Sequence, residues 1–238
     1  QVGSRWLFVP GTSRGFDFVA MANESVEPGA CTVVDVTTYA GDAELSLPRA
    51  DPTTLPPATD PADATRWYYF SSGTTATPKG AKHTDASVMA ASNAQVAYAG
   101  LDRADMIAVP FPMTHIGGIM LLTAYARVGA RILLIETYDP ATSPKVMSDL
   151  GATVYGSATP FFMTYLAAQR AHGDEPFFPT LRKLHAGGAP ITPELNAECL
   201  ELLGTPIVNQ WGLTEFPAAT SLGIDDPPEP YANQSVGR

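Results

Sequence analysis

Residues 67–80 read WYYFSSGTTATPKG. The aromatic run Trp67-Tyr68-Tyr69-Phe70 reads as a buried strand, and small hydroxyl residues, glycines and one lysine follow it at once. Such a loop suits a polyanion. Its backbone N–H groups come close where Gly73 carries no side chain, Ser71, Ser72, Thr74 and Thr75 donate, and Lys79 adds a point charge. The pattern is not a Walker A loop. Pro78 replaces the second glycine, and Gly80 follows Lys79 where a hydroxyl belongs.

Outward from this loop, short apolar runs alternate with longer helical patterns. Strands are expected at 6–9, 31–36, 67–70, 106–109, 131–135, 153–156, 183–185 and 207–210. Helices are expected at 16–22, 85–98, 118–127, 143–150, 160–171 and 193–202. Thr159-Pro160 and Thr192-Pro193 each set a hydroxyl cap before a proline at the first helical position. This rhythm predicts an α/β fold with largely parallel sheets flanked by helices, and sites in the loops beyond the carboxyl ends of the strands. Residues 47–64 read LPRADPTTLPPATDPADA, whose five prolines admit neither a helix nor a central strand. That stretch divides residues 1–64, the end of one sheet region, from residues 65–238, the region with the loop.

Composition narrows the function. The 238 residues carry a net charge of −10, which leaves no surplus of cations for nucleic acid. Two cysteines, Cys31 and Cys199, make no disulfide framework and fit a reducing, cytoplasmic setting. The most apolar stretch, 116–135, is interrupted by Thr123, Tyr125, Arg127 and Arg131 and does not span a membrane; peripheral membrane contact and oligomeric state stay open. The first residues have no initiator Met and no apolar leader, so the sequence is expected to start inside a longer protein. A generic α/β hydrolase is set aside for want of a nucleophile elbow.

The stretch YYFSSGTTATPKGAKHT, residues 68–84, resembles the phosphate-loop signature of the adenylate-forming superfamily, which includes acyl-CoA synthetases, peptide-synthetase adenylation domains and beetle luciferases. Three more segments follow in the family's order. PFPMTHIGG, residues 110–118, resembles the segment in which an aromatic or His gates the acyl pocket, which marks His115 and Gly117 as substrate-binding. LHAGGAP, residues 184–190, resembles the turn whose backbone passes between adenine and the acyl group, which implies nucleotide contacts by Gly187, Gly188 and Ala189 and an acyl contact by Gly188. His185 reads as core or rim. NQWGLTE, residues 209–215, resembles the Y-G-x-T-E motif, with Trp211 where Tyr is usual and Asn209, Gln210 and Gly212 beside it. An indole stacks on adenine at least as well as a phenol.

The resemblance implies the chemistry as well. Lys79, Thr214 and Glu215 would serve adenylation, with Glu215 also the hard oxygen ligand for Mg²⁺. ATP, Mg²⁺ and CoA would take part, and the partner would be a small-molecule carboxylic acid. No acidic residue stands between Pro110 and Gly118 to hold a substrate amine, so an uncharged fatty or alicyclic tail is favoured over an amino acid. Met113, Ile116, Ile119 and Met120 are candidates for the pocket near the gate, and Phe161, Phe162 and Met163 for a wall. Softer likeness at residues 6–22 points toward cyclohexanecarboxylate- and medium-chain-type CoA ligases. Ala76 stands where the family has glycine, and a positive φ there would cost about 1 kcal/mol. The family's barrel subdomain and mobile C-terminal domain have no counterpart in these residues, so the chain is expected to bind substrates yet turn over poorly or not at all. Two alternatives stay open: an acyl-AMP ligase loading a carrier protein, and a non-catalytic nucleotide-binding module.

Overall fold

The computed structural model describes residues 2–36, 51–54, 63–71, 78–223 and 225. Ser72, Gly73, Thr74 and Thr75 of the expected phosphate loop, and Ala76 beside them, lie outside the described residues. The chain divides into two compact units, residues 1–60 and 61–238.

The first unit contains β1 (Trp6–Val9), a small hairpin of β2 (Thr12–Ser13) and β3 (Phe16–Asp17), α1 (Phe18–Ser25) and β4 (Thr32–Asp35). β1 and β4 pair in parallel. The helix starts two residues later than the expected 16–22. Phe16 and Asp17 are taken into the hairpin, and the Asp17 carboxylate accepts from the Ala20 N–H at 2.9 Å as the cap. Residues 11–15, GTSRG, do have the G-x-S-x-G form that the sequence reading overlooked. Ser13 sits in that hairpin, whose turn holds Arg14 and Gly15 at φ 52° and 79°, not at a strand-to-helix elbow.

The second unit begins with an antiparallel hairpin of β5 (Thr65–Ser71) and β6 (Lys79–Thr84), then α2 (Asp85–Tyr98). Here the expected buried strand at 67–70 is corrected. Tyr68 and Phe70 are exposed, and β5 pairs only with β6, apart from the parallel sheet. Aromatic side chains alternate across the hairpin, so only Trp67, Tyr69 and Ser71 share a face with Lys79 and His83. Asp85 fastens the hairpin to its helix, accepting from the Trp67 indole at 2.8 Å and pairing with Arg66 at 2.9 Å. Thr84 and Ser87 close a capping box at the start of α2.

The remainder runs β7 (Met106–Val109), α3 (Ile116–Val128), β8 (Arg131–Leu134), α4 (Ser143–Asp149), β9 (Val154–Ser157), α5 (Thr159–His172), β10 (Lys183–Gly187), α6 (Pro193–Leu203), β11 (Ile207–Trp211) and β12 (Thr220–Ser221). These strands form a six-stranded sheet in the order β12-β11-β10-β9-β7-β8, parallel except for β12. Thr192 caps α6 as expected, accepting from the Leu195 N–H at 3.3 Å. Thr159 does not cap α5. It lies inside the first turn, and its hydroxyl donates to the Pro190 carbonyl at 3.1 Å.

Side chains alternate across the sheet, so each face has its own core. Ile107, Val109 and Val154 pack with Met120, Leu121 and Ala124 under α2 and α3. Tyr155, Leu184 and Ile207 pack with Phe162, Tyr165 and Leu166 of α5 and Cys199 of α6. Going from β7 the chain turns outward to β8, then returns to β9 on the other side of β7. That reversal makes the gap between β7 and β9 a topological switch point, where the connecting loops part and leave a crevice.

At the amino end of the same strands Asp105 is fully buried. It accepts from the Asp102 N–H at 3.0 Å and the Thr153 hydroxyl at 2.8 Å, and pairs with Arg182, while Lys183 donates to the Gly100 carbonyl.

Candidate functional site

A cavity of about 550 Å³ opens at the carboxyl ends of β7, β9, β10 and β11, at the switch point. His115 and Gly117 line it from the start of α3, Ser157 from β9, Gly187 and Gly188 from β10, and Gly212 and Thr214 from the segment after β11. Its deep walls include Ile107, Met120, Leu121 and Val154. Among the described residues that line it, none carries a formal charge.

Local folding sets each of these groups. The loop after β7 ends at His115, whose Nδ1 accepts from the Gly117 N–H at 3.1 Å and so caps α3. That bond fixes the imidazole at the cavity's edge. β10 turns at Gly188, φ 79°, where a Cβ would project into open space. The main chain there leaves a flat surface free. After β11 the chain folds back tightly: Leu213 and Phe216 exchange backbone bonds of 2.9 and 3.1 Å, presenting Thr214 and Glu215 at the tip. Only glycine fits at 212, because a Cβ would stand 2.5 Å from the Pro217 carbonyl oxygen.

The structure thus gathers His115, Gly117, Gly187, Gly188, Gln210, Gly212 and Thr214 around one space. Ala189, Asn209, Trp211 and Glu215 do not line it. Trp211 presents a half-exposed indole and Glu215 an exposed carboxylate beside it in the chain. Asn209 is buried and alternates to the opposite face from Gln210. Of the apolar candidates, Ile116 and Met120 line the cavity, and Met113 and Ile119 do not. Phe162 belongs to the core on the far face, Phe161 packs against that core and Met163 is exposed.

Ser71 and Lys79 are opposite one another in the hairpin, at the base of the loop between its strands. His83 joins this hairpin to the rest of the site. Its buried ring lies on the same face of β6 as Lys79, and its Nε2 is 2.8 Å from the Thr214 carbonyl oxygen. A carbonyl only accepts, so Nε2 is the protonated nitrogen.

Two polar groups under the cavity complete the picture. His185 lines the cavity one layer below Gly187, and its Nε2 lies 3.1 Å from the Gln95 amide nitrogen. Burial pushes the imidazole down to about 4, against the opposing effect of its bond with Gln210. Sequence reasoning passed over His83 and Gln95. A signal for Gln95 existed: it falls on the stripe of α2 that also carries the buried Val88, Ala91 and Ser92.

The donor set fits a nucleotide triphosphate with magnesium. The open backbone at Gly188 and the exposed indole of Trp211 suit a flat base, and Thr214 offers a hydroxyl to a phosphate. Among the described residues no three His, Cys, Asp or Glu side chains come together to cage a metal. Glu215 alone suits an ion that keeps most of its bonds for phosphate oxygens and water, as Mg²⁺ does.

Known proteins share sequence and fold with this chain. The chain is 32% identical over 146 residues to 2-succinylbenzoate–CoA ligase of Bacillus mycoides and 31% to that of Bacillus cytotoxicus, a match covering 61% of this chain and 30% of each relative. The fold superposes on the N-terminal domain of FACL13 from Mycobacterium tuberculosis with a TM-score of 0.76 at 19% identity, covering 99% of this chain and 57% of that one. It superposes on the Bacillus subtilis o-succinylbenzoate coenzyme A synthetase MenE, in complex with ATP and magnesium ion, with a TM-score of 0.71 at 19% identity, covering 98% and 44%. The chain therefore spans about half the length of these structures. No described helix is long and apolar enough to cross a membrane. Residues 2–238 match the family described as AMP-binding enzyme, and the chain belongs to that family of adenylate-forming proteins.

Proposed function

We propose that this chain binds ATP and a carboxylic acid side by side and joins them as an acyl-adenylate, which a thiol then takes up as a thioester. The observation that carries the reading is the meeting of four sequence motifs: Thr214 lines the cavity with His115 and Gly188, and its carbonyl is bonded by His83 of the strand that begins with Lys79.

In the first step a carboxylate oxygen forms a bond to the α-phosphorus as the bond to pyrophosphate breaks. Charge develops on the phosphates, and fixed donors stabilise it best. Lys79 and Ser71, with the loop between them, hold the outer phosphates. Thr214 donates to the α-phosphate. Glu215 would hold Mg²⁺, which neutralises phosphate charge when bound. Trp211 covers the base, and the backbone at Gly187 and Gly188 separates it from the acyl group. His115 stands at the entrance of the acyl cavity and excludes water from the reacting carboxylate. The apolar deep walls favour an acid with a fatty or alicyclic body.

The relatives use CoA, and CoA is the acceptor proposed here, with a carrier-protein thiol as the second reading. A pyrophosphate-exchange assay with a panel of acids, followed by thioester formation with CoA or a carrier protein, tests both steps. Acid-dependent exchange and acyl-CoA support the proposal. Exchange with transfer only to the carrier supports the second reading. Nucleotide binding without exchange in the full-length protein would leave a non-catalytic module. Slow or absent turnover of the isolated chain goes with the proposal, and synthesis at the full-length rate would contradict that part of it.

A further inference from the structure

The cavity runs inward between α3 and the sheet. β7 and β8 are parallel, so α3, which joins them, runs back from the carboxyl ends of the strands toward their amino ends. Its lining residues follow that direction: Ile116 at the mouth, Met120 and Leu121 further in, and Tyr125 last. Just past Tyr125 the chain is already at the amino end, where the Arg131 N–H bonds the Asp105 carbonyl at 3.0 Å. Two rulers give the depth. Three strand steps lead from Ser157 down to Val154, both of which line the cavity, and these span about 10 Å. Nine helical steps lead from Ile116 to Tyr125, about 13 Å between Cα atoms, and a helical side chain leans back toward the start of its helix, which brings the ring up to a similar level. Tyr125 is 3% exposed and packs in the core that includes Leu121, Ala124 and Val154. Burial, and after it the charge of Asp105, raise its phenol. The ring thus stands between a cavity whose described lining carries no formal charge and the buried carboxylate at the amino end.

We propose, resting on the acyl-adenylate reading, that Tyr125 is the end stop of the acyl cavity and sets the length of acid the site accepts. An extended hydrocarbon advances about 1.3 Å per carbon, so a depth of about 10 Å takes roughly seven carbons beyond the carboxyl. Up to that length each methylene leaves water for an apolar wall and gains affinity. A longer unbranched tail meets the ring, which is held by the core around it and backed by a charge that an apolar tail cannot solvate. The acid is therefore of medium length, close to eight carbons in all when unbranched.

The test is equilibrium titration of this chain with straight-chain acyl-sulfamoyl adenosines, from butanoyl through hexanoyl, octanoyl and decanoyl to dodecanoyl. Affinity is expected to rise about threefold per carbon to octanoyl, and dodecanoyl to bind about tenfold weaker than octanoyl or worse. Tyr125→Ala, and the milder Tyr125→Leu, move the best binder to decanoyl or dodecanoyl, because the space of the ring becomes free for the tail. Tyr125→Phe keeps the ring and the wild-type order. Structural damage alone lowers all lengths together and does not move the best one. The wild-type series needs no variant: affinity still climbing at dodecanoyl, or already greatest at butanoyl, overturns this inference and leaves the adenylate reading intact. A best length that stays at octanoyl in the folded Ala or Leu variant overturns the role of Tyr125. Failure of every probe to bind overturns both readings.

Discussion

The Nε2 of His83 lies 2.8 Å from the carbonyl oxygen of Thr214, 131 positions further along the chain. The bond ties the strand carrying Lys79 to the turn carrying Glu215, two segments far apart in sequence. Replacing His83 with Leu leaves the half-buried Thr214 carbonyl without its donor, and the turn loses its fixed position. Affinity for an acyl-sulfamoyl adenosine is expected to fall about tenfold, with smaller loss in His83→Gln, whose amide also offers an N–H. Calorimetric titration of the three proteins measures it.

His185 gives the folded chain a defined response to acid. Its imidazole titrates near 6.5 when unfolded and at about 4 in the fold, so below 6.5 the unfolded chain binds the extra proton first. His185 therefore costs stability as pH falls from 6.5 toward 4, and costs nothing above 6.5. The thermal midpoint is expected to drop more between pH 7 and pH 5 in the native chain than in His185→Asn, which cannot take up the proton. Scanning calorimetry at both pH values reads the difference.

Asp105 belongs to the frame of the sheet and not to the site. Burial alone would raise its carboxyl, but the Asp102 N–H, Arg182, Thr153 and the charge of Lys183 hold it below the ordinary carboxylate range. Its contribution is present above the unfolded value near 3.8 and is lost as pH falls through the folded one. Asp105→Asn leaves Lys183 buried without its counter-ion and is expected to destabilise by about 3 kcal/mol. Urea unfolding shows the loss, while adenylate-analogue affinity of the folded variant stays within about twofold, since the cavity is at the other end of the strands.

Much of this was legible because the sheet is made of short apolar runs that alternate with longer helical patterns. Trp6–Val9, Met106–Val109 and Asp85–Tyr98 coincide with their expected bounds, and the ends of the other expected elements shift by at most three residues. The hairpin was not legible. Its second strand, KGAKHT, has no apolar run to announce it, and the aromatic first strand reads as buried although Tyr68 and Phe70 face outward. Period-two alternation cannot tell an aromatic hairpin from a core strand when polar residues are absent from both faces. The motifs located His115, Gly187, Gly188 and Thr214, because glycines and caps record local backbone geometry. His83 acts through a long-range bond, for which one sequence carries no local sign, and Gln95 shows in the sequence only as part of the buried stripe of α2.

The central claim is that a triphosphate nucleotide is held between the Lys79 hairpin and the Thr214–Glu215 turn. Equilibrium titration of the chain with ATP in magnesium buffer tests this most directly, with Lys79→Ala and Thr214→Ala measured alongside. Saturable one-to-one binding, weakened about tenfold or more in each variant, is the expected result. Binding indifferent to both substitutions, or no saturable binding at all, would contradict it.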